Sequence, residues 1–450
     1  MEFANDIFRL KERTVNMSSV IENKNGTLYF DGCNTVELAK EYGTPLYVMS
    51  ETEIVGRFDQ LKECFLNKYP RTRVAYASKA FCTMAMFQLC KREGMCIDVV
   101  SGGELYTAIK VGYPPERIEF NGNNKLKSEI EMAVEYGIGR IIVDGLQELK
   151  IIEEVCKEKN KKVSILYRIT PGVKSSSHDY IVTGKKDSKF GIPLDEDVIM
   201  KHIEDAIKSE WVEFLGFHYH VGSQLFDNSS HLKATEITLE LVRKVKEIFD
   251  YDIKELNLGG GFGVKYTDEE RKPFEYFIKP MMEMVYENYD AMGIDRPAVV
   301  IEPGRSIVAE AGISLYEIGS IKEIKDVRKY VSVDGGMPDN IRPALYQAEY
   351  DGVVANKVDE EKNDKVTVCG KCCESGDILI TDIDITKTAK AGDIFAIYST
   401  GAYGYSMASN YNNNPVPGVV FVNKGESELV VKKQSYDDII KNQMISEKLI

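Results

Sequence analysis

Eight short runs rich in β-branched and other apolar residues alternate with amphipathic helical stretches between about residues 70 and 310. A strand pattern followed each time by a helical pattern indicates βα units and a parallel sheet. The runs are Arg73–Ser78, Cys96–Ser101, Ile118–Gly122, Arg140–Asp144, Val163–Thr170, Leu215–Val221, Glu255–Gly259 and Ala298–Pro303. Eight units in roughly 240 residues fit a (β/α)8 TIM barrel. The alternative is an open doubly wound sheet, which would carry a glycine-rich dinucleotide turn where this sequence reads Ser78-Lys79-Ala80.

The pattern changes after about residue 310, where strand-like runs and turns follow one another without helical stretches between them. We predict a C-terminal all-β domain, a β-barrel or sandwich, over residues 311–450, after a barrel domain over residues 51–310. The runs Thr27–Phe30 and Leu46–Met49 belong to a segment, residues 1–50, that is expected to pack with the β-domain. The predicted C-terminal strands are Ser314–Ile321, Tyr330–Val333, Lys365–Cys369, Ile378–Thr381, Ile394–Ser399, Val419–Val422 and Glu428–Lys432. A long segment inside the barrel pattern, Pro171–Gly191, is interpreted as a lid or pocket wall.

Composition and charge favour a globular protein that acts on small molecules. The 450 residues are 43% hydrophobic and 28% charged, and the net charge of −14 disfavours nucleic acid and anionic membranes as partners. No apolar run is long enough to span a bilayer, and the start MEFANDIFRLKER lacks the apolar core of a signal peptide. We therefore expect a cytoplasmic protein without a nucleic-acid or membrane partner.

The cysteines and histidines do not form a recognisable metal site. The nine cysteines are scattered and odd in number, which is typical of a reducing compartment, and the pair Cys369 and Cys372 lacks the second pair of a structural zinc site. His218 and His220 share one face of the sixth run, but no H-E-x-x-H motif or third ligand accompanies them. We predict no metal. An imidazole that faces a planar cofactor, with the Ser223 hydroxyl on its phosphate, is the better interpretation.

Chemically capable groups follow several predicted strands, at the barrel mouth where catalytic residues lie. Lys79 follows the first strand; alone it would be a solvated surface lysine, but lysine also forms Schiff bases with aldehyde cofactors. Gly259-Gly260-Gly261-Phe262-Gly263 follows the seventh strand, and its backbone N–H groups are able to close on an anion. Glu302-Pro303-Gly304-Arg305 follows the eighth. The glycine run alone could be a tight turn, but the two segments together occupy the two positions where barrels bind phosphate.

A lysine, a phosphate cradle, a stacking ring and the Glu302 carboxylate together indicate pyridoxal 5′-phosphate. A carboxylate beside the pyridine nitrogen keeps that nitrogen protonated, so the ring accepts the electron pair left when a bond at Cα breaks. This favours a decarboxylase over a racemase that avoids a stable carbanion.

From about residue 25 to 412 the sequence resembles the barrel-type pyridoxal-phosphate decarboxylases, most closely the diaminopimelate decarboxylases. Many separated motifs match in order. They are Tyr76-Ala77-Ser78-Lys79-Ala80, Asp98-Val99-Val100-Ser101-Gly102-Gly103-Glu104, Asn121-Gly122-Asn123-Asn124-Lys125, Asp187-Ser188-Lys189-Phe190-Gly191, His220-Val221-Gly222-Ser223-Gln224, Glu302-Pro303-Gly304-Arg305, Ile341-Arg342-Pro343-Ala344-Leu345-Tyr346, Cys373-Glu374-Ser375-Gly376-Asp377 and Gly401-Ala402-Tyr403-Gly404.

The resemblance implies roles for particular residues. Those implied to bind the cofactor are Lys79, His220, Ser223, Gly260, Gly261, Glu302, Gly304, Arg305 and Tyr403. Those implied to contact the substrate are Arg305, Arg342, Tyr346, Glu374 and Tyr403. Lys79 would hold the cofactor, His220 would stack on its ring, and Cys373 would return a proton to Cα after carbon dioxide leaves. A pair of arginines suits a diacid, because guanidinium binds carboxylate bidentately.

The resemblance also implies a homodimer, in which Cys373 and Glu374 reach the site of the partner subunit. One segment departs from the family pattern. After Asn410-Tyr411-Asn412 the family usually continues Ser-Arg-Pro-Arg-Pro, whereas this chain reads Asn413-Asn414-Pro415-Val416-Pro417. The departure affects the edge of the predicted β-domain and the fit of the substrate, and leaves the implied cofactor residues unchanged.

The function that the resemblance implies is decarboxylation of meso-2,6-diaminopimelate to L-lysine and carbon dioxide. The alternative enzyme is a decarboxylase of the same fold that acts on a basic amino acid or a carboxylated polyamine, but a substrate with one carboxylate gives Arg342 no second acid to bind. A noncatalytic cofactor-binding regulator would have lost part of the machinery, and Lys79, Glu302, Cys373 and Tyr403 are all present.

Overall fold

A computed structural model describes residues 20–173 and 188–450 of the chain. These residues form two compact units. The barrel unit contains residues 57–264 and 270–307. The β-unit contains the described residues up to Gly56 together with Lys265–Glu269 and Val308–Ile450.

The strands, in chain order, are β1 (Ile21–Lys24), β2 (Thr27–Phe30), β3 (Cys33–Asn34), β4 (Leu46–Ser50), β5 (Thr72–Ala77), β6 (Cys96–Val99), β7 (Ile118–Phe120), β8 (Arg140–Val143), β9 (Val163–Thr170), β10 (Ile192–Pro193), β11 (Val212–His218), β12 (Glu255–Asn257), β13 (Ala298–Ile301), β14 (Gly312–Ile324), β15 (Arg328–Val333), β16 (Gly352–Val354), β17 (Lys362–Cys369), β18 (Ile378–Thr386), β19 (Ile394–Ile397), β20 (Gly418–Asn423) and β21 (Glu426–Val431). The α-helices are Thr35–Tyr42, Glu51–Leu61, Met84–Arg92, Gly102–Lys110, Lys127–Tyr136, Glu148–Lys159, Glu196–Lys208, Ser229–Phe249, Phe274–Met292, Arg305–Val308, Arg342–Tyr346 and Tyr436–Ile440.

The barrel unit is a closed ring of eight parallel strands. Its order is β9-β11-β12-β13-β5-β6-β7-β8, and β8 pairs with β9 to complete the ring. The predicted TIM barrel is therefore confirmed, and the open doubly wound sheet is excluded by the closing pair. All eight predicted strands are present, with ends that differ by at most three residues.

The helices between the strands are amphipathic and cover the barrel. The helix Ser229–Phe249 buries Ala234, Thr238 and Val245 along one face, as the helical period of its apolar residues predicts. The helix Gly102–Lys110 begins where Ser101 Oγ accepts a hydrogen bond from Glu104 N, an N-cap.

The β-unit is built on a nine-stranded sheet, in the order β18-β17-β15-β14-β4-β20-β21, with β19 pairing β14 and β16. β4, from the N-terminal part of the chain, pairs antiparallel with β14 and parallel with β20. All seven predicted C-terminal strands are present, although the short helix Arg342–Tyr346 lies between β15 and β16, where the sequence pattern showed no helix. The three-residue strand β16 was not predicted, because Gly352-Val353-Val354 is too short to show a period.

Two further expectations concern particular segments. Most of the predicted lid, including Ser175–His178 and Asp187, lies outside the described residues. No helix in the described part of the chain is both long and apolar enough to cross a membrane.

Candidate active site

Lys79 lies directly beyond the C-terminal end of β5, in the short turn Ser78–Ala80. Its side chain is 39% exposed, and its Nζ lies 3.4 Å from Oδ2 of Asp98 at the end of β6. The Ser78 hydroxyl donates to Oε2 of Glu104 at 2.8 Å, which fixes the turn against the next helix. The amine is thus held at the barrel mouth, partly open to solvent.

Glu302 follows β13 and is almost completely buried. Its Oε1 accepts hydrogen bonds from Asn121 Nδ2 at 3.0 Å and from Asn257 Nδ2 at 2.8 Å. Its Oε2 lies 3.0 Å from His218 Nε2. Three neutral groups on three other strand ends therefore fix the orientation of this carboxylate.

The surroundings of Glu302 keep it ionised. Burial acts to raise the pKa of Glu302, but the interactions with His218, Lys79 and Glu119 outweigh burial and hold the pKa well below its usual range. Burial raises the pKa of Asp98 to about 7, although Lys79 opposes the shift. The carboxyl group of Glu302, just beyond the C-terminal end of β13, is therefore ionised at neutral pH.

His220 is held as a neutral ring. Burial, followed by the charges of Lys79 and Arg168, lowers its pKa well below the usual value. The Gly260 N–H donates to His220 Nδ1 at 3.3 Å, so the proton of the neutral ring is on Nε2. A neutral, fixed imidazole is suited to stacking on a flat ring.

The glycines at the barrel mouth are required by close backbone packing. A Cβ at Gly260 would lie 2.0 Å from the carbonyl oxygen of Glu302. Gly261 has φ +100°, and a Cβ there would lie 2.3 Å from the carbonyl oxygen of Gly222. At Gly304 a Cβ would lie 2.9 Å from the Cβ of Ala77. The segments after β11, β12 and β13 can pack together only because these positions lack side chains.

Two polar side chains lie beside this glycine cluster. Arg305, which is 8% exposed, donates from Nε to the Ser223 hydroxyl at 3.1 Å. The next residue, Gln224, has φ +59° and exchanges two side-chain hydrogen bonds with the backbone of Val264, at 3.0 and 2.9 Å. Gln224 therefore anchors the loop that carries Ser223. The Arg305 guanidinium, the Ser223 hydroxyl and the nearby glycines together form an arrangement that suits an anion.

In the β-unit, Arg342 is buried among aromatic rings. Its guanidinium lies 4.8 Å from the ring centre of Tyr266 and 5.5 Å from that of Tyr350, and Nη1 donates to the Tyr350 hydroxyl. In the part of the chain that the structure describes, Nε of Arg342 has no hydrogen-bond partner. Tyr403 also contributes to the field around Arg342, and Tyr346 lies at the end of the same short helix as Arg342.

Tyr403 lies in a tight turn with φ +59°, a conformation that costs free energy in a residue with a side chain. The turn is closed by two glycines. A Cβ at Gly401 would lie 1.9 Å from the carbonyl oxygen of Val308, and one at Gly404 would lie 2.8 Å from that of Thr400. Such a conformation indicates that the position of the Tyr403 side chain is specified by the surrounding fold.

Cys373 and Glu374 lie on an exposed loop of the β-unit. The loop is anchored by Asp377, whose carboxylate accepts hydrogen bonds from Met337 N and from Cys372 N, at 2.6 and 2.8 Å. Asn412 Oδ1 accepts a hydrogen bond from Cys373 N at 2.8 Å.

The segment that departs from the family pattern adjoins this loop. Asn412 and Asn413 both have positive φ, 52° and 54°, a conformation that asparagine tolerates better than most residues. Asn414 Nδ2 donates to the carbonyl of Tyr411 at 3.0 Å. The asparagines therefore stabilise their own turn.

Four residues that support the site were not predicted to belong to it. They are Asn121, His218, His231 and Asn257. Asn121 and Asn257 hold Glu302, as His218 does, and His231 Nε2 donates to the carbonyl of Gly260 at 2.9 Å. The polar residues Asn121 and Asn257 at the ends of apolar strands were a usable signal. His231 carried none, since a single histidine in a helix is most often a core residue.

Comparison with known proteins gives consistent results across the chain. The pyridoxal binding domain of the pyridoxal-dependent decarboxylases matches residues 51–309. A diaminopimelate decarboxylase of Bacillus subtilis is 48% identical over 421 residues, which is 93% of this chain and 96% of that protein. One of Staphylococcus aureus is 42% identical over 93% of this chain and 98% of that protein.

Solved structures of diaminopimelate decarboxylases are also similar to this chain. The diaminopimelate decarboxylase of M. jannaschii in complex with L-lysine superposes with a TM-score of 0.90 at 36% identity, and covers 96% of this chain and 99% of that one. A lysine/ornithine decarboxylase of Vibrio vulnificus, complexed with putrescine, has a TM-score of 0.72 at 22% identity over 86% of this chain and 98% of that one, which shows a shared fold.

Proposed function

The chain belongs to the diaminopimelate decarboxylases, a family of pyridoxal-dependent enzymes, and from this we propose that it converts meso-2,6-diaminopimelate to L-lysine and carbon dioxide, the last step of lysine biosynthesis. The observation that carries the proposal is the match of nearly the whole chain to relatives of this activity at 48% identity. The buried, ionised Glu302 at the barrel mouth supports the same chemistry.

The residues of the barrel unit fit pyridoxal phosphate. Because its pKa is low, Glu302 is an anion that would pair with a protonated ring nitrogen. The glycines at which a Cβ would clash with neighbouring backbone lie near Ser223 and Arg305, and together these residues suit a phosphate. When bound, the cofactor supplies an aldehyde for attachment and a ring that accepts an electron pair from Cα.

In this assignment Lys79 would hold the cofactor covalently through Nζ. His220, neutral and fixed by the Gly260 N–H, would pack its ring against the cofactor ring. Glu302 is ionised and would pair with the ring nitrogen, because His218, Asn121 and Asn257 hold its two oxygens. The residues assigned to the phosphate are Ser223, Gly260, Gly261, Gly304 and Arg305.

The proton that replaces the lost carboxyl group comes from Cys373 in this proposal. Its thiol would deliver the proton to Cα of the substrate. Cys373 lies on an exposed loop whose backbone is fixed by Asp377 and Asn412. The exposure of Cys373 in the single chain supports a role in the site of a partner subunit. We therefore assign Cys373 and Glu374 to the active site of the second subunit of a homodimer.

The substrate has a second carboxylate and a second amine, and the assigned contacts match both. Arg342 has an unpartnered Nε among the described residues and a guanidinium already held by tyrosine rings, an arrangement that suits a carboxylate. Glu374 would bind the distal ammonium group. Arg305, Tyr346 and Tyr403 are the further substrate contacts in this assignment, and Tyr403 also reaches the cofactor.

The test is release of carbon dioxide and formation of amine product from purified protein with added pyridoxal phosphate. meso-Diaminopimelate, lysine, ornithine and arginine are offered in parallel. Release from diaminopimelate alone, with lysine formed, is the expected result. Release from a mono-acid would instead assign the chain the activity of a related basic amino-acid decarboxylase. No release from any of the four compounds would favour a cofactor-binding regulator.

The attachment of the cofactor is tested separately with Lys79→Ala. The variant should bind pyridoxal phosphate without the visible absorption band of a lysine-linked cofactor, and it should lose activity. Persistence of the band with cofactor bound would show that another lysine makes the bond.

A further inference from the structure

Three carboxyl side chains lie close together inside the barrel. Glu119 on β7 is 3% exposed and lies beside Asp98 of β6 in the strand register. The single amino group of Asn257 donates to Glu119 Oε1 at 3.1 Å and to Glu302 Oε1 at 2.8 Å. Two almost completely buried carboxyl groups, from different βα units, therefore converge on one donor.

The donors are distributed unequally between the two groups. Glu302 is held by Asn121, Asn257 and His218. Among the described residues, the hydrogen bond that Glu119 accepts comes from the amino group of Asn257, which it shares with Glu302. Two ionised carboxylates this close and this buried would repel each other strongly. A proton on one of the two groups relieves this repulsion. We expect it on Glu119, because Glu119 accepts fewer hydrogen bonds than Glu302.

The other charged groups around Glu119 do not reverse this preference. Arg140 lies beside Glu119 in the register, but its Nε and Nη2 lie 2.7 and 3.1 Å from the carboxylate of Glu255, which Arg73 also contacts. Cys96 is neutral, since burial raises its pKa to about 11. Burial, followed by the charges of Glu302 and Asp98, raises the pKa of Glu119 well above its usual value, against the attraction of Arg140.

We propose that Glu119 is a positioning residue that carries a proton at neutral pH and donates a hydrogen bond to Glu302, and that this bond keeps Glu302 ionised and oriented. The proton remains on Glu119 throughout, and no bond other than this hydrogen bond is involved. The consequence for catalysis rests on the role proposed above for Glu302. The protonation state of Glu119 does not, and it is measurable by itself.

The first experiment is infrared difference spectroscopy of the full-length protein at neutral to mildly alkaline pH, with and without pyridoxal phosphate. The wild type minus Glu119→Gln difference should contain the carbonyl-stretch band of a protonated carboxyl group. Glu255→Gln is the matched control, because Glu255 is equally buried but paired with two arginines, and no such band should be lost. Loss of a carboxylate band in Glu119→Gln would overturn the proposal.

The second experiment measures pyridoxal phosphate affinity by equilibrium titration. Glu119→Leu removes the donor and should weaken binding about tenfold, the effect of one hydrogen bond to a charged group. Glu119→Gln keeps an N–H donor of the same shape and should restore most of the affinity. Equal affinity of both variants and the wild type would overturn the positioning role.

Two outcomes remain separate from the proposed function. If Glu119→Leu fails to fold, the infrared band and the affinity of the Gln variant still decide the proposal. If the enzyme acts on a mono-acid instead of diaminopimelate, the band of Glu119 is unaffected. A protein without the band and with full affinity in the Leu variant would refute the inference even where the substrate assignment holds.

Discussion

At the scale of single residues, the tyrosines around Arg342 decide how its guanidinium is presented. Packing against aromatic faces and the hydrogen bond to the Tyr350 hydroxyl restrict the side chain, while among the described residues the N–H at Nε has no hydrogen-bond partner. A carboxylate that binds there meets a donor already held in place, so little conformational entropy is lost on binding. This predicts that the tyrosines affect substrate affinity more than turnover.

Tyr350→Phe should therefore raise the KM for diaminopimelate about tenfold with a smaller change in kcat, because it removes one hydrogen bond to a charged group. Tyr398→Phe is the matched control, another buried tyrosine of the β-unit, and it should leave both constants near the wild-type values. Steady-state kinetics on the two variants make the comparison. A fall in kcat with unchanged KM in Tyr350→Phe would contradict this role for Arg342.

Asp98 predicts a dependence of stability on pH. Burial raises its folded pKa to about 7, above the unfolded value of about 3.9, so the folded protein binds the extra proton between these values. Relative to high pH, protonation of Asp98 stabilises the folded state. This stabilisation is fully present below the unfolded pKa and is lost as pH rises through the folded pKa of about 7. Thermal melts of the cofactor-free protein should show the melting temperature of the wild type falling relative to Asp98→Asn from pH 4 to 7. Parallel curves for the two proteins would rule out the shift.

At the scale of elements, the glycine cluster after β11, β12 and β13 shows how backbone packing shapes a site. Gly260 and Gly261 have no room for a side chain, because carbonyl oxygens of neighbouring segments occupy the position of a Cβ. Any side chain there must separate two strand ends. Since Glu302, His220 and Ser223 lie on these same segments, displacement would move several assigned cofactor contacts together.

Gly261→Ala should accordingly weaken pyridoxal phosphate binding by about a hundredfold and lower stability by about 1–3 kcal/mol, as overpacking of a filled space does. Gly145→Ala, in another loop of the barrel unit, is the control, because a Cβ there meets nothing within 4 Å. Cofactor titration and denaturant unfolding of both variants test the expectation. Equal behaviour of the two alanine variants would show that the cluster is not a close-packed cradle.

The barrel strands could be predicted from the sequence because each one is a local pattern of apolar residues followed by a helical period. Residues that act through distant partners could not. His218 was placed on the same strand face as His220, but its partner Glu302 is 84 positions away in the chain. Asn257 likewise bridges β12 to Glu119 and Glu302 only after the ring closes. A strand of three residues such as β16 shows no period at all.

At the scale of the whole molecule, the proposed homodimer accounts for the exposed position of Cys373 and Glu374. The proposed proton donor and the proposed ammonium-binding carboxylate are both exposed to solvent in the isolated chain. In a symmetric dimer each subunit would give its loop to the other subunit and receive one in return. Lys79 and Cys373 would then serve the same active site from two different chains.

This arrangement predicts complementation between two inactive proteins. Lys79→Ala and Cys373→Ala should each be inactive as homodimers. A mixed dimer contains one site in which both residues are intact, because the intact Lys79 and the intact Cys373 come from opposite subunits. With random assembly, half of the dimers are mixed and each has one working site, so co-expression should restore about one quarter of wild-type activity. The two variants refolded separately and then assayed together are the control, and they should stay inactive until subunits exchange. If co-expressed variants remain inactive while mixed dimers are demonstrably present, each site takes Lys79 and Cys373 from the same chain, and the shared-site assignment is wrong.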